Sequence, residues 1–192
     1  MVAYVVDSVF LLYWARPRPV AEARDATSAV AHGTSCWQTS TMVSFRASTA
    51  DDFPVIERFA RLASSNPAHY SERWGRMGDF GVIAESHCQV VGAAWARLFA
   101  WSDLRDPLGS PQFPELAIAV DGTFRGQGIG TDLLRELVAA AERLGYSALD
   151  LLVERSNLAA IAVYTKLGFK RIGGDARLWM RVTVSQRSNQ QS

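Results

Sequence analysis

Glu115-Leu116-Ala117-Ile118-Ala119-Val120-Asp121-Gly122-Thr123-Phe124-Arg125-Gly126-Gln127-Gly128-Ile129-Gly130-Thr131 is the stretch whose reading decides the fold. Its first six residues are apolar apart from Glu115 and read as a strand, and Asp121-Gly122 reads as a turn. Glycines at 126, 128 and 130 follow, three in five positions. Without Cβ atoms, backbone N–H groups can converge there, and the N-terminus of the helix that follows adds about half a positive charge. The pattern describes a cradle for a pyrophosphate. A plain turn before a helix is the competing reading, but it does not call for glycine at all three positions. Two other glycine loops are excluded. No Gly-Lys-Ser/Thr ending marks a P-loop, and the third glycine comes one residue early for the dinucleotide fingerprint. Asp150, the acidic residue about 20 positions on, falls at the start of its strand, out of reach of a ribose.

Downstream, Ile129, Leu133, Leu134, Leu137, Val138 and Ala141 recur at helical spacing, so one stripe packs on a sheet, and Gly145 ends the helix. A strand over Ala148–Val153, a helix over Leu158–Leu167 stopped by Gly168, and a last strand over Arg177–Val184 are expected next. Upstream, Trp101–Phe113 holds Asp, Gly, Ser and two prolines and reads as a long loop. Phe80–Glu85 and Val90–Phe99, separated by Ser86-His87-Cys88-Gln89, read as an antiparallel hairpin. Val43–Ala47 reads as a first strand. Thr49-Ala50-Asp51-Asp52 then starts a helix with Pro54 in its first turn and Ile56, Phe59, Ala60 and Ala63 on one face. The element order is β-α-(α)-β-β-β-α-β-α-β, a mixed sheet with helices on both faces. Residues 1–41 show no sustained period and are expected to be a disordered or non-native extension, with Met42 as an alternative start; an extra helix is the other reading. The folded domain is therefore 42–184, with 185–192 a flexible tail.

A chain of 192 residues, 48% apolar and 20% charged, fits one globular domain with one site. A net charge of +1 supplies no field to gather nucleic acid or an anionic membrane, so no partner of either kind is expected. The apolar run Val9–Trp14 is too short for a span of about 20 residues, and no positive n-region precedes it. Cys36 and Cys88 are too few and too scattered for a disulfide framework or a zinc site, which points to a reducing compartment and the cytoplasm. His32, His69 and His87 have no ligand spacing, so no metal is expected. There is no Gly-x-Ser-x-Gly, and Cys88 sits in a hairpin turn, so a covalent acyl-enzyme is not indicated.

Arg-x-x-Gly-x-Gly at 125–130, preceded by Leu116-Ala117-Ile118-Ala119-Val120 and followed by Asn157, Tyr164 and Gly168-Phe169, resembles the GNAT acyltransferases from Met42 to about Val184. The resemblance implies an α/β fold with a mixed, mostly antiparallel central sheet whose parallel fourth and fifth strands splay apart. It implies acetyl-CoA as co-substrate, lying in the gap between Glu115–Val120 and Ala148–Val153. The backbone of Ile118, Ala119 and Val120 would pair with the pantetheine arm like an added strand. Arg125, Gly126, Gln127, Gly128, Ile129, Gly130 and Thr131 would hold the pyrophosphate.

Asn157 and Tyr164 lie seven residues apart, two helical turns, and face the same way. By resemblance Asn157 anchors the pantetheine amide, or else caps its helix; the two roles can coexist. Tyr164 by resemblance protonates the departing thiolate, with a packed core aromatic as the alternative. Glu115, at the start of the strand on which the thioester would rest, is by resemblance the base that deprotonates an incoming amine, or else a solvated strand-end carboxylate. Glu154 and Glu85 read as surface charges. The expected activity is N-acetyl transfer by direct attack in a ternary complex; the alternative is a catalytically inactive acyl-CoA-binding regulatory module. The acceptor, a small-molecule or peptide amine, would be chosen by Tyr70, Trp74 and Asp79 in 67–79 and by Trp101 and Asp103 in the long loop. Monomer and homodimer both remain open.

Overall fold

The computed structural model describes residues 42–104 and 106–184. The expectations for 1–41 and 185–192 lie outside that range. The chain runs β1 (Ser44–Ala47), a 3-10 turn (Ala50–Asp52), α1 (Phe53–Ala63), α2 (Pro67–Ser71), β2 (Phe80–Ser86), β3 (Gln89–Arg97) and β4 (Glu115–Val120). A second 3-10 turn (Gly122–Phe124) leads to α3 (Ile129–Arg143), β5 (Ala148–Glu154), α4 (Leu158–Lys166), β6 (Lys170–Gly173) and β7 (Arg177–Thr183). The strands form one sheet in the order β1-β2-β3-β4-β5-β7-β6, antiparallel everywhere except between β4 and β5.

Side chains alternate across the pleat and build two cores. Ala93 and Trp95 of β3 and Ala117 and Ala119 of β4 turn toward α1 and α2, where they meet Ile56, Phe59, Ala60 and Tyr70. The neighbouring positions Ala94, Ala96 and Leu116 turn to the opposite face and pack under Leu133, Leu134 and Leu137 of α3 and Tyr164 of α4. The apolar stripes read from the sequence are these two faces. Gly145 and Gly168, at φ +82° and +91°, stop α3 and α4 in the left-handed conformation glycine tolerates.

One strand escaped the sequence. Lys170-Arg171-Ile172-Gly173 is mostly exposed along its short length, so it carries no buried alternation to mark it. It is an edge strand held by β7 alone, with a register shift between Arg171 and Gly173.

Candidate active site

β4 pairs with β3 along its whole length, from Arg97↔Glu115 to Gly92↔Val120. Toward β5 the pairing is confined to Glu115↔Asp150, supported by the Asp150 N–H donating to the Pro114 carbonyl at 2.9 Å. Past that point the two parallel strands part. The β5-facing edge from Leu116 through Ile118, Ala119 and Val120 is left with no ladder partner among the described residues.

The glycine loop lies at the wide end of this gap. Asp121 shapes its approach by accepting from the Thr123 N–H at 3.4 Å, and Arg125 Nε donates to the Val120 carbonyl at 3.1 Å. Gly126 and Gly128 have φ of +73° and +85°, and Gly128 is the residue from which α3 starts. The Thr131 and Asp132 N–H groups turn back onto the Gly128 carbonyl at 2.9 and 3.1 Å. The N–H groups from Gly126 to Gly130 donate to no acceptor among the described residues. A run of unpaired donors at a helix N-terminus suits an anion. Thr131, whose N–H is already engaged, has only its hydroxyl to offer. A Cβ at Gly128 would meet nothing within 4 Å, so the cradle is open to a ligand, whereas one at Gly130 would come within 3.6 Å of Val120 on β4.

Across the gap, α4 follows β5. Asn157 Oδ1 accepts from the Ala160 N–H at 3.1 Å, so the capping role is realised and the side-chain NH2 remains to donate. Tyr164 is 3% exposed, with its ring tilted against Phe169 at 5.7 Å. Its hydroxyl has no hydrogen-bond partner among the described residues. Burial pushes the Tyr164 pKa further above the usual phenol value, which keeps it a proton donor at neutral pH.

Glu115 is 6% exposed, not the solvated strand-end carboxylate that was its alternative. The Tyr70 hydroxyl donates to its Oε1 from α2. Burial pushes its pKa up to about 7, against the lowering effect of the Tyr70 hydrogen bond. The sheet register places it in a row of charges, Arg97 on β3, Glu115 on β4, Asp150 on β5 and Arg181 on β7. The outer members are neutralised by ion pairs. Arg97 meets Asp79 at 3.0 Å, and Arg181 meets Asp150 at 2.6 and 2.7 Å while its guanidinium lies 4.2 Å over Phe113. Glu85, paired with Arg46 at 2.7 Å, is the surface charge expected of it.

The acceptor reading needs correction. Asp79 is consumed by Arg97, Tyr70 is fully buried against Glu115, and Trp74 is tied through Nε1 to the Thr49 carbonyl at 2.9 Å. These three are engaged inside the protein and do not line the hollow described next. Trp101, 75% exposed, and Asp103 remain at the surface. A hollow of about 260 Å³ opens beside them, lined by Asn66, His69, Glu72, Arg97, Phe99 and Asp103 among others. A larger, shallower one of about 540 Å³ lies between α1 and the Asp121-Gly122 turn, away from Glu115. Neither the Tyr70–Glu115 contact nor the Asp150–Arg181 pair has a local signal in sequence, since the partners are 45 and 31 residues apart.

The model of the acetyltransferase (GNAT) family matches residues 42–169, and the chain belongs to that family. A mycothiol acetyltransferase of Sanguibacter keddieii is 30% identical over 140 residues, covering 67% of this chain and 43% of the relative. Mouse N-acetyltransferase 8 is 35% identical over 92 residues, covering 47% and 38%. The chain spans less than half the length of these relatives. A ribosomal-protein-alanine N-acetyltransferase structure from Brucella melitensis has a TM-score of 0.57 at 27% identity, covering 73% of this chain and 99% of that one. A phosphinothricin acetyltransferase from Sinorhizobium meliloti, solved in complex with AcCoA, matches in fold with a TM-score of 0.58 at 22% identity, covering 78% and 92%. Among the described residues no group of His, Cys, Asp and Glu could hold a metal, and no helix is long and apolar enough to cross a membrane.

Proposed function

We propose that the protein transfers an acetyl group from acetyl-CoA to a primary amine by direct attack in a ternary complex. One observation carries the reading. A parallel strand pair parts after a single ladder contact, and a run of unpaired N–H groups waits at its open end. The residues fit the donor: the β4 edge at Ile118, Ala119 and Val120 has no β5 ladder partner and offers a backbone edge to a pantetheine arm, Gly126 to Gly130 suit a pyrophosphate, and the Asn157 NH2 suits an amide carbonyl. Bound acetyl-CoA would supply the activated thioester. Glu115 then takes the proton that the amine must lose, the amine nitrogen bonds to the thioester carbonyl carbon, and the C–S bond breaks. Tyr164 gives its proton to the leaving sulfur.

The acceptor enters from the hollow beside Trp101 and Asp103 and is a small molecule or a peptide N-terminus. The named relatives include enzymes for both kinds, mycothiol and a ribosomal protein. We place the protein in the cytoplasm, as a monomer or homodimer. Steady-state release of CoA thiol with a panel of primary amines tests the activity. Calorimetric binding of acetyl-CoA with no release from any amine would instead describe an inactive acyl-CoA-binding module.

A further inference from the structure

Tyr70 is fully buried, and nothing in the transfer chemistry above uses it. Its ring is fixed edge-on by His69 at 4.8 Å and by Phe99 at 6.2 Å, while the Trp95 indole N–H donates to its backbone carbonyl at 3.1 Å. A phenol in such a setting has a strong need for a hydrogen-bond partner. Its hydroxyl finds one in Glu115 Oε1. His69 and Phe99 also line the hollow assigned to the acceptor, so α2 stands between that hollow and the carboxylate.

Resting on the assignment of Glu115 as the base, we propose that Tyr70 is its positioning residue: the buried hydroxyl donates to Oε1, fixes the carboxylate at the apex of the gap and favours its charged form. Other groups around Glu115 act differently. Asp150 and Asp106 oppose its ionisation, Asp150 while held by Arg181, and Arg97 on β3 is committed to Asp79. His69 meets Tyr70 through its ring. Without the phenol, a carboxylate already raised by burial would hold its proton to still higher pH, and less of the enzyme would be competent at neutrality.

Tyr70→Phe keeps the ring and its packing and removes only the donor. The full chain of each variant is first shown to bind CoA by calorimetry with unchanged affinity, which reports an intact fold. The protonated-carboxyl infrared band of Glu115, assigned by its loss in Glu115→Gln, is then titrated, and kcat/KM for one amine is measured from pH 5 to 10. The expected result is an upward move of the infrared midpoint by about one pH unit or more, the size of a charge-assisted hydrogen bond, with the rising limb of kcat/KM moving alongside it. An unmoved infrared midpoint overturns the role of Tyr70. A moved midpoint with an unmoved rate profile supports the hold of Tyr70 on Glu115 and overturns Glu115 as the base.

Discussion

Glu115 and Asp150 are the one ladder pair joining β4 to β5 among the described residues, so two buried carboxylates stand side by side where the sheet begins to open. Both groups are raised, first by burial, and the nearby Asp150 charge raises Glu115 further. Arg181 resolves the conflict for Asp150, and Glu115 is left as the carboxylate that titrates near neutrality.

Glu115→Gln retains shape and an acceptor for Tyr70 but removes the basicity. It should lower kcat/KM by about 10²-fold or more at pH 7, with the loss shrinking as pH rises and more amine is already neutral. Profiles of both enzymes from pH 6 to 10 with one amine check this, and overlaid profiles would return the proton to another group.

The same substitution should stabilise the fold. The folded-state pKa of Glu115 is about 7 against an ordinary 4.5, so ionising it costs folding free energy that is absent below about pH 4.5 and accumulates up to about pH 7. By linkage that cost approaches about 3 kcal/mol at alkaline pH. Thermal melts should show Glu115→Gln above the wild type at pH 8 and level with it near pH 4. A constant offset across that range would mean that packing, not charge, separates them.

Tyr164→Phe should lower kcat by about 10²-fold while leaving the Kd of CoA nearly unchanged, since the hydroxyl acts on the leaving thiolate and the ring packing survives. Weakened binding with normal turnover would assign the hydroxyl to cofactor contact.

Gly128→Val should weaken CoA binding at least about tenfold. A valine at φ +85° is strained even where space is open, and relief of that strain would turn the neighbouring N–H groups away from the cradle. Circular dichroism should stay the same, and unchanged affinity in the folded variant would remove the loop from the site.

Arg181→Met leaves Asp150 buried without its counter-charge, a loss of about 3–5 kcal/mol. The deficit should shrink as pH falls and Asp150 takes up a proton, because its folded pKa is then even further above its unfolded one. Denaturant melts at pH 5 and pH 8 distinguish this from lost contact with Phe113, which would not respond to pH.

Local chemistry made most of this architecture legible. The glycines at 126, 128 and 130 and the stripe from Ile129 to Ala141 are decided within a few residues, and they located the glycine turn and α3. Asn157 could be read both as a cap and as a ligand because an amide has two ends, and the structure fills one of them. What remained hidden was decided at a distance. Asp79 looked like a free acidic group until β3 brought Arg97 against it, and Tyr70 looked like a wall of the acceptor pocket until α2 turned it inward to Glu115. β6 hid for the opposite reason, since an exposed edge of four residues has no burial pattern to betray it.

On the proposed function, a sheet that opens in its middle ties the persistence of the protein to its fuel. The outer edges, β1 and β6, are only four residues each, a length that discourages pairing with another chain. The inner edge of β4 is longer, and on the proposed function a donor lies along it as a missing strand. A molecule held in that way binds the folded chain and not the unfolded one, and at a hundredfold over its Kd it adds about 2.7 kcal/mol of resistance to unfolding. When the donor pool runs low, the chain loses that protection together with its substrate, so proteolysis would thin the enzyme in step with the metabolite it consumes.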